Sequence, residues 1–143
     1  MKKNVYDLPC NIAHALNIIG DRWTLLIAKN ILVGKTTFNE LKEELRGISA
    51  NILSDRLRTL EEQGLVVSEL YSAHPPRYRY QLTESGRELE MVFNSILLWG
   101  RRNLEKCFKK IEHNACGHEV EIAYYCPHCE GNVADYTVKA IGE

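Results

Sequence analysis

Apolar positions in the first hundred residues recur with helical spacing and are interrupted by glycine. Ile12, Ala15, Leu16 and Ile19 share one face of a helix over residues 11–19, which Gly20 ends. Asp21 is placed to cap a second run, residues 23–32, which Gly34 closes in a left-handed conformation that glycine adopts at little cost. Trp23, Leu25, Leu26, Ile27, Ala28, Ile31 and Leu32 make that run apolar on most sides, which predicts a central, buried helix. Thr37 with Glu40 three positions on has the form of a capping box, and a short helix follows to Leu45. Arg46-Gly47 makes a turn, Ser49 caps a longer helix through Gln63, and Gly64 stops it. Helix, short glycine turn, helix is a helix-turn-helix pattern.

The period then changes to two. Residues 65–71 are rich in β-formers, and Tyr78, Tyr80 and Leu82 alternate with Arg79, Gln81 and Thr83. The Pro-rich stretch 72–77 between them completes a hairpin, a wing behind the helix-turn-helix. Thr83, or Ser85 in a second capping box with Glu88, opens a long helix expected to reach about Ile111. A tail follows, with β-type character at Tyr124-Tyr125 and over residues 133–141. The predicted fold is mainly α, in the α+β class: a winged helix-turn-helix with a long dimerisation helix over residues 1–112, and a small Cys/His tail over residues 113–143.

Composition narrows the function. The chain has 143 residues, a net charge of −1 and 45% hydrophobic residues, the profile of a soluble globular protein. It contains no apolar run long enough to span a membrane, and its polar start lacks the apolar segment of a secretory signal. A cytoplasmic protein is therefore expected. Near-neutrality conceals an asymmetry. Residues 1–83 hold eleven Lys and Arg against nine Asp and Glu, whereas residues 84–143 hold seven against ten. A mildly basic reader is joined to an acidic remainder.

The helix over residues 49–63 turns Ile48, Ile52, Leu53, Leu57 and Leu60 toward a core. Its opposite face carries Asn51, Ser54, Asp55 and Arg58 in the N-terminal half, beside the cap Ser49. Asn reads adenine and Arg reads guanine bidentately in the major groove, and Ser is versatile. Arg56 lies near the core edge, where it reaches either a phosphate or an internal carboxylate. His74, Arg77 and Arg79 give the hairpin a basic tip suited to phosphates or the minor groove. A solvated amphipathic helix and a plain charged turn are the competing readings. Both features in this order favour a reader of double-stranded DNA.

Several stretches resemble the HxlR-type branch of the MarR-like winged-helix regulators: Cys10-Asn11-Ile12, Gly20-Asp21-Arg22-Trp23-Thr24, Phe38-Asn39-Glu40-Leu41, Gly47-Ile48-Ser49, Leu53-Ser54-Asp55-Arg56-Leu57, Glu62-Gln63-Gly64-Leu65, and the run from Pro75-Pro76-Arg77-Tyr78 to Ser85-Gly86. The resemblance covers about residues 8–100. It implies a homodimeric transcription regulator on a palindromic operator. One departure is Asp21-Arg22, where the family commonly has Gly-Lys; it alters the cap of that helix. The resemblance also places Cys10 at a position where some members sense oxidants or electrophiles. A thiol at a helix start is favoured as thiolate; packing at a dimer interface is the other reading. Ile12, Leu16, Ile19, Val92, Phe93, Ile96 and Trp99 are the candidate dimer residues.

The odd total of five cysteines argues against a closed disulfide framework. His113-x-x-Cys116 and Cys126-x-x-Cys129, nine residues apart, are two knuckles that present two ligands each to one structural zinc ion. His118 is an alternative to His113, and His128 is a weaker candidate. A metal-free tail, or a separation too short for good geometry, are the competing readings. Cys107 is assigned to helix packing. No catalytic set is present: Glu119 directly follows His118 and the spacing does not match a zinc deaminase, so no enzyme is expected. The rival class is a protein-interaction module that docks through a zinc-ribbon tail on a winged-helix scaffold.

Overall fold

The computed structural model describes residues 5–142, and their contacts group them into two compact units that divide between Phe93 and Asn94. The first unit contains α1 (Asn11–Ile19), α2 (Thr24–Leu32), α3 (Phe38–Glu44), α4 (Ala50–Glu62), β1 (Val66–Ala73), β2 (Pro76–Leu82) and α5 (Glu84–Arg87). Helix α6 (Leu89–Asn103) begins in it, and the second unit adds β3 (Tyr124–Cys126) and β4 (Gly131–Val133). This is the winged helix-turn-helix architecture that the patterning predicts.

The local signals act as expected. Thr37 and Glu40 form the reciprocal capping box at the start of α3. Ser49 accepts the Ile52 N–H at 3.1 Å to start α4. Gly64, at φ +72°, turns the chain out of α4 and into β1, a conformation that side chains with a Cβ adopt reluctantly. One core joins these elements. Ile27, Ala28 and Ile31 of α2 meet Leu41, Leu45, Ile48, Leu53, Leu57, Leu60, Val66 and Leu82, with Trp23, Phe38, Leu89 and Phe93 packed around them. Gly86 is needed by proximity, because a Cβ there would lie 2.0 Å from the Leu65 carbonyl oxygen.

Strands β1 and β2 pair antiparallel from Val66↔Leu82 to Ala73↔Pro76. They run through most of the stretch expected as a Pro-rich loop, so the tip is reduced to His74-Pro75. Tyr80 N–H donates to the Thr36 carbonyl at 2.8 Å, which ties the wing to the entry of α3.

Four sequence expectations are corrected. Ile52 is 40% exposed and lies outside the core, because its neighbour Leu53 occupies the inward position. The Ser85–Glu88 capping box does not form: Thr83 accepts the Gly86 N–H at 3.1 Å, while the Ser85 hydroxyl donates to the Gly64 carbonyl. The long helix is broken after Arg87, restarts at Leu89 and stops at Asn103, well short of Ile111. Beyond it Phe108 is 88% exposed, so no core rewards a helix there. Cys107 consequently lies outside the helix, and its thiol donates to the Arg101 carbonyl at 3.3 Å, satisfying a group that a helix end leaves open. Finally, the alternation over residues 133–141 forms no strand beyond Val133; Val138 and Ile141 there are exposed.

Candidate nucleic-acid interface

Helix α4 buries Leu53, Leu57 and Leu60 and thereby turns its other side to solvent. Asn51, Ser54 and Arg58 are exposed on that side, and Asp55 is half-buried beside them. The cap at Ser49 fixes where this face begins. His74, Arg77 and Arg79 are exposed on the wing. Arg79 does not extend freely. Its guanidinium stacks 5.0 Å from the ring centroid of Tyr71. Tyr71 is the extra residue of a bulge between Leu70 and Ser72, and such bulges re-aim a side chain. The sequence reading omitted Tyr71 because a strict period of two gives a bulged residue no special place.

Arg56 takes the internal alternative. Only 17% of its side chain is exposed, and its Nε lies 3.3 Å from Asp21 Oδ2, with Asp55 at 4.0 Å from its other nitrogen. The Nε approach is ionic and lacks the alignment of a hydrogen bond. Asp21 also accepts the Trp23 N–H at 2.9 Å, the Thr24 N–H at 3.1 Å and the Thr24 hydroxyl. It therefore caps α2 and at the same time holds a side chain of α4. Burial pushes the Asp21 carboxyl up, but the Thr24 hydroxyl, the Trp23 N–H and the Arg56 charge outweigh it and hold it below the usual aspartate value.

That depression sets a pH dependence. A carboxyl with a folded-state pKa below its unfolded one stabilises fully above the unfolded value and loses the contribution as pH falls through the folded value. Asp21→Asn keeps a capping oxygen but removes the charge facing Arg56, and is expected to cost about 0.5–1 kcal/mol at neutral pH. The difference from the parent protein should vanish in acid, below the usual aspartate range. Denaturant melts at a series of pH values test this; a gap that persists undiminished into acid would reject it.

The tail places its candidate donors on two hairpins. His113 Nδ1 and Cys116 Sγ approach to 3.4 Å. Cys126 Sγ accepts the Cys129 N–H at 3.5 Å, and hydrogen bonds from the Cys129 and His128 backbone hold its thiol below the usual cysteine value. The structure forms each pair but does not gather the four: among the described residues, no three His, Cys, Asp or Glu side chains stand grouped to hold a metal ion. Cys10 is exposed at the position preceding α1. No helix among the described residues is long and apolar enough to cross a membrane.

An exposed, capped second helix beside a basic β-hairpin defines a DNA-binding regulator of the winged helix-turn-helix class. The chain belongs to the HxlR-like helix-turn-helix family, whose profile matches residues 18–108. This is a class of transcription regulators rather than enzymes. An uncharacterized HTH-type transcriptional regulator of Mycobacterium tuberculosis, Rv3095, is 37% identical over 122 residues, covering 83% of this chain and 77% of the relative. The crystal structure of PA1607 superposes with a TM-score of 0.75 at 29% identity, covering 93% of this chain and 96% of that one. That span reaches beyond the winged helix into the tail. The redox regulator HypR in its oxidized form superposes with a TM-score of 0.62 at 34% identity, over 68% of this chain and 100% of that one.

Proposed function

We propose that the protein acts as a homodimer on a palindromic operator in double-stranded DNA, and that oxidation or alkylation of Cys10 changes its affinity for that site. The observation that carries the DNA reading is the solvent-facing N-terminal half of α4, where Asn51, Ser54, Asp55 and Arg58 follow the Ser49 cap. These side chains would face base edges in the major groove. Arg77, His74 and the Tyr71-braced Arg79 would hold the backbone or the minor groove. Arg56 serves as a positioning residue, because its charge is already engaged by Asp21.

Two copies are favoured by unpartnered apolar side chains. Ile12 and Leu16 are exposed on α1, and on α6 Ile96 is 54% and Trp99 62% exposed. Of the other candidate dimer residues, Phe93 packs against the core of its own chain, and Ile19 and Val92 are half-buried. A winged helix reads one half-site, and two copies joined in register read two, about one helical turn apart. Avidity then compensates for the few cations each copy supplies.

The redox component rests on Cys10, exposed at the start of α1, and on the likeness to HypR, which is a redox regulator. Light scattering at micromolar concentration is expected to give twice the chain mass. A gel shift with the DNA upstream of its own gene is expected to show a specific complex that diamide weakens. Cys10→Ser should bind equally well and lose the response. A monomeric mass would reject the dimer, an unshifted operator the DNA reading, and an unchanged diamide response in Cys10→Ser the sensor.

A further inference from the structure

We propose that the C-terminal hairpins form a zinc ribbon in which His113, Cys116, Cys126 and Cys129 close a tetrahedral shell around one zinc ion. The first ground is a deficit of packing. None of the described residues from Asn94 to Gly142 is buried. The two hairpins near the C-terminus therefore have no apolar core to order them. Segments below roughly 40 residues rarely hold a fold without a metal, a disulfide or an oligomer interface.

The second ground is local geometry repeated twice. In the first hairpin Glu112 bridges Glu119, His113 N–H donates to the His118 carbonyl at 2.9 Å, and Gly117 N–H donates to the His113 carbonyl at 2.8 Å. Cys116 is followed by Gly117 at φ +72°. In the second hairpin Cys126 pairs with Gly131, and Cys129 is followed by Glu130 at φ +54°. A non-glycine residue in that region is uncommon and strained. Each hairpin thus carries two donors three positions apart, with the second donor ahead of a left-handed residue. Backbone N–H donation to Cys126 Sγ is what a thiolate ligand needs from its own turn.

The third ground is a distance. Zinc bonds of about 2.3 Å to sulfur and about 2.0–2.1 Å to nitrogen, at a tetrahedral angle, set the two donors about 3.5 Å apart. His113 Nδ1 and Cys116 Sγ stand 3.4 Å apart. His113 and Cys116 therefore already stand at the separation that two ligands of one ion require. The His128 Nδ1 to Cys129 Sγ separation, 3.8 Å, fits less well. Two preformed pairs that are not yet gathered describe a site that the ion itself draws together, coupling binding to folding of the tail. Three thiolates and one imidazole select zinc over the harder divalent cations.

The test uses the full chain, reduced and purified without a metal-affinity step. Metal analysis is expected to return about one zinc per chain. His113→Ala, Cys116→Ser and Cys126→Ser should each lose most of it, and His118→Ala should retain it. A chelator should expose residues 104–142 to limited proteolysis and leave the winged helix resistant. Should a variant fail to fold, zinc content and chelator response of the unaltered chain still decide the question. Zinc far below stoichiometric, with proteolysis indifferent to chelator, overturns the proposal. Loss of zinc in His118→Ala but not in His113→Ala overturns the donor assignment.

Discussion

Leu53→Ala is expected to lower the unfolding free energy by about 2–5 kcal/mol. Leu53 is fully buried, as are Ile27, Leu41 and Leu60 in the same core. Truncation removes the transfer free energy of the lost carbons and leaves a cavity that α2, α3 and α4 cannot all close upon, because each is already pinned by its own cap. The effect is a shift of the denaturant midpoint with little change in slope. DNA binding should fall only as far as folded protein is lost. A change below about 1 kcal/mol would contradict the placement of this face of α4 in the core.

Arg58→Ala, one turn further along the same helix, should have the opposite signature. The side chain is exposed, so thermal stability should stay within about 0.5 kcal/mol. Affinity for the specific operator should drop by about 1–3 kcal/mol, roughly 5- to 150-fold. Discrimination at one base position of each half-site should relax. Fluorescence anisotropy with the operator and with variants changed at single base pairs measures both effects. Equal weakening on all sequences would make Arg58 a phosphate contact rather than a base reader. The two substitutions together separate a folding defect from a reading defect on opposite faces of one helix.

Much of this division was legible in the sequence. The Thr37–Glu40 box, the Ser49 cap and the glycine stop at Gly64 are interactions among residues at most a few positions apart. Local chemistry suffices for them, and the structure reproduces each one. The polar face of α4 was legible for a related reason, since periodicity assigns one side of a helix inward and leaves the other free. Ile52 escaped this reasoning because a hydrophobic residue on the border of a face goes wherever space remains, and that is decided by other helices.

What needed the third dimension was every interaction whose partner is distant in sequence, or whose reward is burial against something else. Asp21 reads locally as a cap, and it is one. Only folding brings Arg56 of α4 to the same carboxylate and leaves its side chain mostly buried. Arg79 reads as a free cation, and a bulge in the partner strand puts the Tyr71 ring beneath it. The helix expected to reach Ile111 ends at Asn103, because a helix persists only while packing supports it and Phe108 beyond has no core to enter. The sequence by itself determined the helix-turn-helix and wing, the caps at Thr37 and Ser49 and the polar face of α4, because these follow from short-range hydrogen bonding and periodicity. The tertiary structure alone decided which cations are engaged within the protein and where helix gives way to tail, because both depend on long-range contacts and on the extent of the core.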